Sequence, residues 1–336
     1  MENLDFLNPV TIYQSIVDGT LVDKVDKRLV SGLIAYVGLK LAYSYIMKPT
    51  YTFYRYCIRP AKDLHKRYTG GWAVVTGASD GIGLGFCKNL AKLGFNVMMI
   101  SRNLKKLQEK AEEVKKLNDK VEVKVLEFNF NRPYKANEYK VIYDELDKID
   151  VSLLVNNVGY GYLGDGINYY KMTDHNIVSL YQINLTPMIF MTKYFLNRAL
   201  KREGKKSGII NVSSIASLFP LPDNHIYAGS KAFIDNFTKS LAATPQYKDI
   251  DFLVLNTASV ESNMNRGKIL FSVKPDDYTK QALTILGNEV QDHGHLKHHI
   301  CASMLYNPIT LTILLIDIYN KMDSLGGLED QKPVGS

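Results

Sequence analysis

From residue 70 onward, short continuous apolar runs alternate with longer segments in which apolar positions recur every three to four residues. The runs near 72–77, 96–101, 121–128, 151–156, 208–213 and 251–256 predict strands. The segments 82–93, 104–117, 136–147, 174–202 and 227–242 predict helices. Strands that alternate with helices in this way need right-handed crossovers, which give a parallel sheet covered on both faces. The expected fold class is therefore α/β, a doubly wound parallel sheet. Beyond residue 262 the pattern loosens. The apolar run Ile309 to Ile316 is too short to span a bilayer and predicts a membrane-contacting or dimer-contacting helix.

The N-terminal pattern is different. Leu29 to Met47 is 19 residues broken by a single charge, Lys40, and is about long enough to cross a hydrocarbon core. Tyr51, Phe53, Tyr54 and Tyr56 follow as an aromatic belt, among the basic residues Lys48, Arg55, Arg59, Lys62, Lys66 and Arg67. This predicts a membrane-associated helix over 29–47, either spanning or lying on the surface, with the C-terminal part on the cytosolic or matrix side. The expected organisation is an N-terminal region 1–69, a nucleotide-binding domain 70–262, and a C-terminal extension 263–336 acting as a substrate cap or membrane contact.

Composition narrows the partners. The net charge of +7 comes from dispersed basic residues without any nucleic-acid-binding motif, so an anionic cofactor and a membrane surface account for it and nucleic acid is not expected. Three widely spaced cysteines predict free thiols in a reducing compartment. His293, His295, His298 and His299 lack ligand-type spacing to a carboxylate or cysteine, so they read as a polar surface loop and no metal is expected.

The candidate chemistry begins at Val74 to Leu84, where an apolar strand runs into glycines at 77, 81 and 83 and then a helix. A helix N-terminus behind such a turn offers free backbone N–H groups and the positive end of a dipole, which suits a pyrophosphate. Gly77, Ser79, Asp80, Gly81, Ile82 and Gly83 are the expected cradle. The second strand ends Ser101-Arg102 with no carboxylate, and an arginine there accommodates a 2′-phosphate; the expected cofactor is NADPH. Tyr227 and Lys231 lie four residues apart on one helical face, so the ammonium is expected to favour the phenolate and make Tyr227 a general acid. Ser214 ends an apolar strand, at the sheet edge where such folds place their ligands.

Together the motifs Thr76-Gly77-x-x-x-Gly81-x-Gly83, Asn156-Asn157-Val-Gly159, Asn184, Ser213-Ser214 and Tyr227-x-x-x-Lys231 resemble the short-chain dehydrogenase/reductase family over about residues 70–262. The resemblance implies a Rossmann-type fold, Tyr227 as proton donor, Ser214 as carbonyl-orienting partner, and Lys231 as phenol-acidifying group and nicotinamide-ribose ligand. Asn184 would support a proton-relay water. Asn129, Asn157, Gly159 and Ser262 would join the cofactor site, with Asn156 bracing the central strand. The N-terminal segment, the Asn-Asn-Val-Gly variant and Ile-Ser-Arg-Asn look like the branch of very-long-chain 3-oxoacyl-CoA reductases and 17β-hydroxysteroid dehydrogenases. That branch implies an acyl-CoA or steroid substrate and the endoplasmic reticulum, with the mitochondrial inner membrane as the alternative, and a homodimer or larger membrane complex. Three departures stand out: Asn129 replaces an aspartate, Asn256-Thr257-Ala258 replaces a proline-containing loop, and Ser262 replaces a threonine. The departures near the sixth strand, with the long charged N-terminus and the C-terminal apolar run, motivate a second expectation, a non-catalytic accessory subunit of a membrane complex in which the fold and any bound NADPH are structural.

Overall fold

The structure, a computed structural model, describes residues 27–131, 136–161, 169–222, 224–262 and 271–305. It divides into two compact units, Met1–Arg59 and Pro60–Ser336. The apolar run 309–316 lies outside the described residues.

In the first unit, helix α1 (Lys27–Ala42) passes through a π-helical turn, Tyr43–Met47, into α2 (Lys48–Phe53) and a second π-helical turn, Tyr54–Ile58. The expectation of a span over 29–47 is not supported: among the described residues no helix is long and apolar enough to cross a membrane. The reason is length: α1 holds only the 16 residues Lys27–Ala42 before the π-helical turn Tyr43–Met47 interrupts it, short of the roughly 20 residues a helix needs to cross a hydrocarbon core. Ile34, Leu39, Ile46, Met47 and Phe53 nevertheless stand largely exposed.

The second unit carries a seven-stranded parallel sheet in the order β3-β2-β1-β4-β5-β6-β7. The strands are β1 (Trp72–Thr76), β2 (Asn96–Ser101), β3 (Val123–Glu127), β4 (Val151–Asn156), β5 (Ser207–Val212), β6 (Ile250–Leu255) and β7 (Gln291–Asp292). Every residue of β1, β4 and β5 is buried, as continuous Val/Ile/Leu runs demand when helices cover both faces. After a short α3 (Leu64–Arg67), the helices are α4 (Gly81–Lys92), α5 (Leu104–Lys115), α6 (Lys140–Leu146), α7 (Asp174–Ala199), α8 (His225–Ala242), α9 (Pro275–Ile285) and α10 (Leu296–Leu305).

Strand order reverses between β1 and β4, and the crevice beyond their carboxyl ends is where doubly wound sheets bind ligands. A buried polar ladder braces the sheet below that crevice: Asn156 Nδ2 donates to Thr192 Oγ1 and Asn211 Oδ1, and Asn211 Nδ2 donates to Thr238 Oγ1. The chain after 262 also contributes to this unit, since β7 pairs with β6 and α9 packs on α4.

Candidate active site

The glycine turn is shaped by close backbone approach. Gly77 and Gly81 have φ of +65° and +51°, the left-handed region that disfavours side chains. Gly83 lies so near the turn that a Cβ there would come within 2.2 Å of the Gly77 carbonyl oxygen. Asn157 stitches the turn to β4: its backbone N–H donates to Thr76 Oγ1, and its Nδ2 donates to the carbonyls of Thr76 and Gly77. Asn157 therefore stands at the expected cofactor site with its amide committed to the scaffold. Ser79 and Ser101 share a 2.9 Å hydroxyl hydrogen bond that links the turn to the end of β2, beside exposed Arg102. Asp80 caps α4 through Gly81 N–H, and Ile82 is half-buried behind it. Ser262 reaches this turn from the opposite side, near enough that a Cβ on Gly81 would lie 2.9 Å from its own Cβ. Asn129 closes a local turn by accepting from Asn131 N–H, just past β3.

One residue here escaped the sequence reading. Lys106, in the first turn of α5, places Nζ 3.2 Å from Asp80 Oδ2 and brings a second cation to the side of the turn that Arg102 flanks. Its only local signal is its place four residues after Arg102.

The second half of the site is built on β5, α7 and α8. Ser214 follows β5 and caps a short 3₁₀ turn, Ile215–Ser217, its Oγ accepting from Ala216 N–H. Tyr227 occupies the first turn of α8, and Lys231 lies one turn on, its ammonium 5.6 Å from the Tyr227 ring centroid and donating to the Val212 carbonyl. Asn184 is buried in α7, where its Oδ1 accepts from Tyr160 N–H and its Nδ2 donates to Tyr160 O and Ser230 Oγ. Gly159 completes the cluster, because a Cβ there would meet Asn184 Oδ1 at 3.3 Å and Lys231 Nζ at 3.5 Å. Ser214, Tyr227, Lys231 and Asn184, separate in sequence, thus surround one space at the carboxyl edge of the sheet.

Electrostatics differ from the expectation in one respect. Burial raises the Tyr227 phenol above its usual range, and the hydrogen bond with Ser214 only partly offsets this. The phenol is therefore protonated at neutral pH and not acidified. Burial also lowers Lys231 to about 8, against the pull of the Asp235 carboxylate. A protonated phenol beside a hydroxyl donor suits delivery of a proton to a carbonyl oxygen.

The loop after β6 also departs from expectation. Asn256 is fully buried and bonded on both ends of its amide, with Nδ2 donating to Asp235 Oδ2 and Ser217 Oγ while Oδ1 accepts from Gln291 Nε2. Thr257 shares a 2.7 Å hydrogen bond with Tyr278. The histidines are not a solvated loop: His298, buried on α10, accepts from Ala258 N–H at Nδ1 and donates through Nε2 to the Ser259 carbonyl. Burial holds that imidazole neutral, down to about 4. The loop keeps its shape through these side-chain bonds where a proline would have stiffened it.

The residues fit a nicotinamide dinucleotide: a Cβ-free turn at a helix N-terminus, two cations beside the end of β2, and a lysine and hydroxyls at the far end of the crevice. A cleft of about 680 Å³ adjoins the Ser214 turn, lined by Leu218, Phe219, Pro220, Leu221 and His225 among others.

A family model described as short chain dehydrogenase matches residues 71–270. The chain is 31% identical over 293 residues to very-long-chain 3-oxoacyl-CoA reductase-A of Danio rerio, covering 86% of this chain and 90% of that one. It is 33% identical over 242 residues to 17-beta-hydroxysteroid dehydrogenase type 3 of Homo sapiens, covering 71% and 76%. Among solved structures, a 7beta-hydroxysteroid dehydrogenase superposes with a TM-score of 0.63 at 20% identity over 73% of this chain and 95% of that one, a likeness of fold.

Proposed function

Because this chain belongs to the short-chain dehydrogenase family and is an enzyme of that family, we propose that it is an NADPH-dependent reductase of a lipophilic carbonyl. The favoured substrate is a 3-oxoacyl-CoA, with a ketosteroid as the variant. The observation that carries this reading is the grouping of Ser214, Tyr227 and Lys231 around one space, with the phenol held protonated. The relatives named above act, by their names, on 3-oxoacyl-CoA and hydroxysteroids, which supports the substrate class.

When bound, the reduced cofactor supplies the hydride. The chain's own part is to bind, orient and protonate. The glycine turn and α4 N-terminus hold the diphosphate, Arg102 and Lys106 receive the 2′-phosphate, and Lys231 holds the nicotinamide ribose. Ser214 orients the carbonyl by donating to its oxygen, and the Tyr227 hydroxyl then delivers its proton to that oxygen. Asn184 fixes the 157–160 loop against α7 and so keeps Gly159 beside Lys231. The exposed apolar residues from Ile34 to Phe53 support a helix lying at a membrane interface, fitting an amphiphilic substrate. The endoplasmic reticulum is the compartment in keeping with this reading.

The test follows NADPH absorbance with detergent-solubilised protein and a panel of 3-oxoacyl-CoAs and ketosteroids. Turnover of at least one class is expected; tight NADPH binding without turnover of either would return the protein to an accessory role. Two further outcomes are expected. Arg102→Ala should raise KM for NADPH by roughly tenfold to a hundredfold and leave KM for NADH nearly unchanged, since one charge-assisted phosphate contact contributes about 1.5–3 kcal/mol; an unaltered cofactor preference would remove Arg102 from the site. The sign of the Lys231 shift also sets a pH limit. A lysine lowered to about 8 loses its charge above that value, so kcat/KM should fall as pH rises through about 8, and a profile flat to pH 10 would exclude a role for the ammonium.

A further inference from the structure

Asp235 is a buried carboxylate that the chemistry above does not use. It lies on α8 one turn beyond Lys231 and is 5% exposed. No cation lies within ion-pair distance of it among the described residues. Its Oδ2 instead collects neutral donors: Ser217 Oγ at 2.6 Å, Asn256 Nδ2 at 2.6 Å and Gln291 Nε2 at 3.4 Å. Its Oδ1 has no hydrogen-bond partner among the described residues. The Lys231 ammonium one turn back feels this carboxylate without pairing with it, so the bonding that holds the buried side chain comes from neutral donors.

The donors show what the carboxylate holds. Ser217 closes the 3₁₀ turn that Ser214 opens, its Oγ also lying 2.6 Å from the Ser214 carbonyl, so that its single proton is shared between that carbonyl and Asp235 Oδ2. Asn256 sits opposite, immediately past β6, and donates to Ser217 Oγ as well. The backbone is joined there too, with Ser213 N–H donating to Leu255 O and Ile215 N–H to Thr257 O. Asp235 is thus the point at which the turn bearing Ser214, the helix bearing Tyr227 and Lys231, and the loop running to Ser262 are bonded together.

We propose that Asp235 and Asn256 are positioning residues that clamp the Ser214–Ser217 turn, so that the Ser214 hydroxyl stays aimed at the carbonyl oxygen. This rests on the carbonyl-reductase reading. Neither residue touches substrate; both act through Ser214. A loosened turn would lower kcat with little effect on cofactor affinity, because misplacement of an orienting group by about 1 Å costs up to roughly a hundredfold in rate.

The experiment is a double-mutant cycle. Asp235→Asn is expected to lower kcat about tenfold or more, with the NADPH dissociation constant, read by fluorescence, changed less than about twofold. In the Ser214→Ala background, Asp235→Asn should cost nothing further, since the group it positions is gone. Losses that multiply, or an unchanged kcat, would overturn the proposal. Ser217→Ala, which removes one hydroxyl and keeps the buried charge, serves if Asp235→Asn fails to fold, and the same non-additivity is expected of it. Hydrogen exchange supplies a readout independent of turnover: the amides of Ala216 and Ser217 should exchange faster in either variant at unaltered melting temperature, and unaltered exchange would dismiss the clamp. If the parent protein reduces neither substrate class, the functional reading fails while the exchange result still decides the clamp.

Discussion

Tyr227→Phe is expected to abolish carbonyl reduction while leaving the fold and NADPH binding in place. Burial keeps the hydroxyl protonated, and removing a positioned general acid costs about 10²–10⁴ in rate. The ring itself remains to fill the first turn of α8 below the Lys231 ammonium. The measurement pairs kcat with an NADPH titration. A kcat within threefold of the parent would show that the proton comes from elsewhere, and the assignment of the whole site would go with it.

The second large effect concerns folding. Gly83→Ala puts a methyl 2.2 Å from the Gly77 carbonyl oxygen and 2.6 Å from Asn157 Nδ2, contacts that no rotamer relieves because they belong to Cβ itself. Both the turn and the Asn157 bridge to β4 would have to move. Such overpacking is expected to cost about 3 kcal/mol, and a melting temperature lower by roughly 6–12 °C would report it. Diphosphate affinity should fall with it, since the turn is what presents the amides. By contrast, Gly229→Ala inside α8 meets nothing within 4 Å and, since Ala is the better helix former, serves as a control that holds stability or raises it by up to about 1 kcal/mol. Equal melting temperatures for the two variants would contradict the packing described for the turn.

What could be read from the sequence was what has a local signature. Continuous apolar runs located β1, β2, β4, β5 and β6 to within a few residues, because a strand buried on both faces needs no partner pattern to declare itself; β3, at the sheet edge, is only partly buried. The glycines and the Tyr-x-x-x-Lys spacing were legible for the same reason, each being a constraint over a handful of positions. What was missed depends on distant partners. Asp235 meets Asn256 across 21 residues, Lys106 meets Asp80 across 26, and His298 meets Ala258 across 40. The histidine cluster looked solvated because burial of a neutral imidazole leaves no mark on spacing. At the N-terminus the apolar run gave no sign of a change of helix type, since α1 ends at Ala42 and the π-helical turn Tyr43–Met47 follows. At Tyr227 the neighbouring ammonium is visible in sequence, whereas the burial that raises the phenol is not.

The loop between β6 and Ser262 gets its rigidity on loan from downstream chain, through Tyr278, Gln291 and His298. An enzyme trimmed to the nucleotide-binding portion alone would keep each residue that handles proton or phosphate yet lose the buttresses on one wall of the crevice. Minimising this protein for crystallisation or engineering therefore has a floor set by α10.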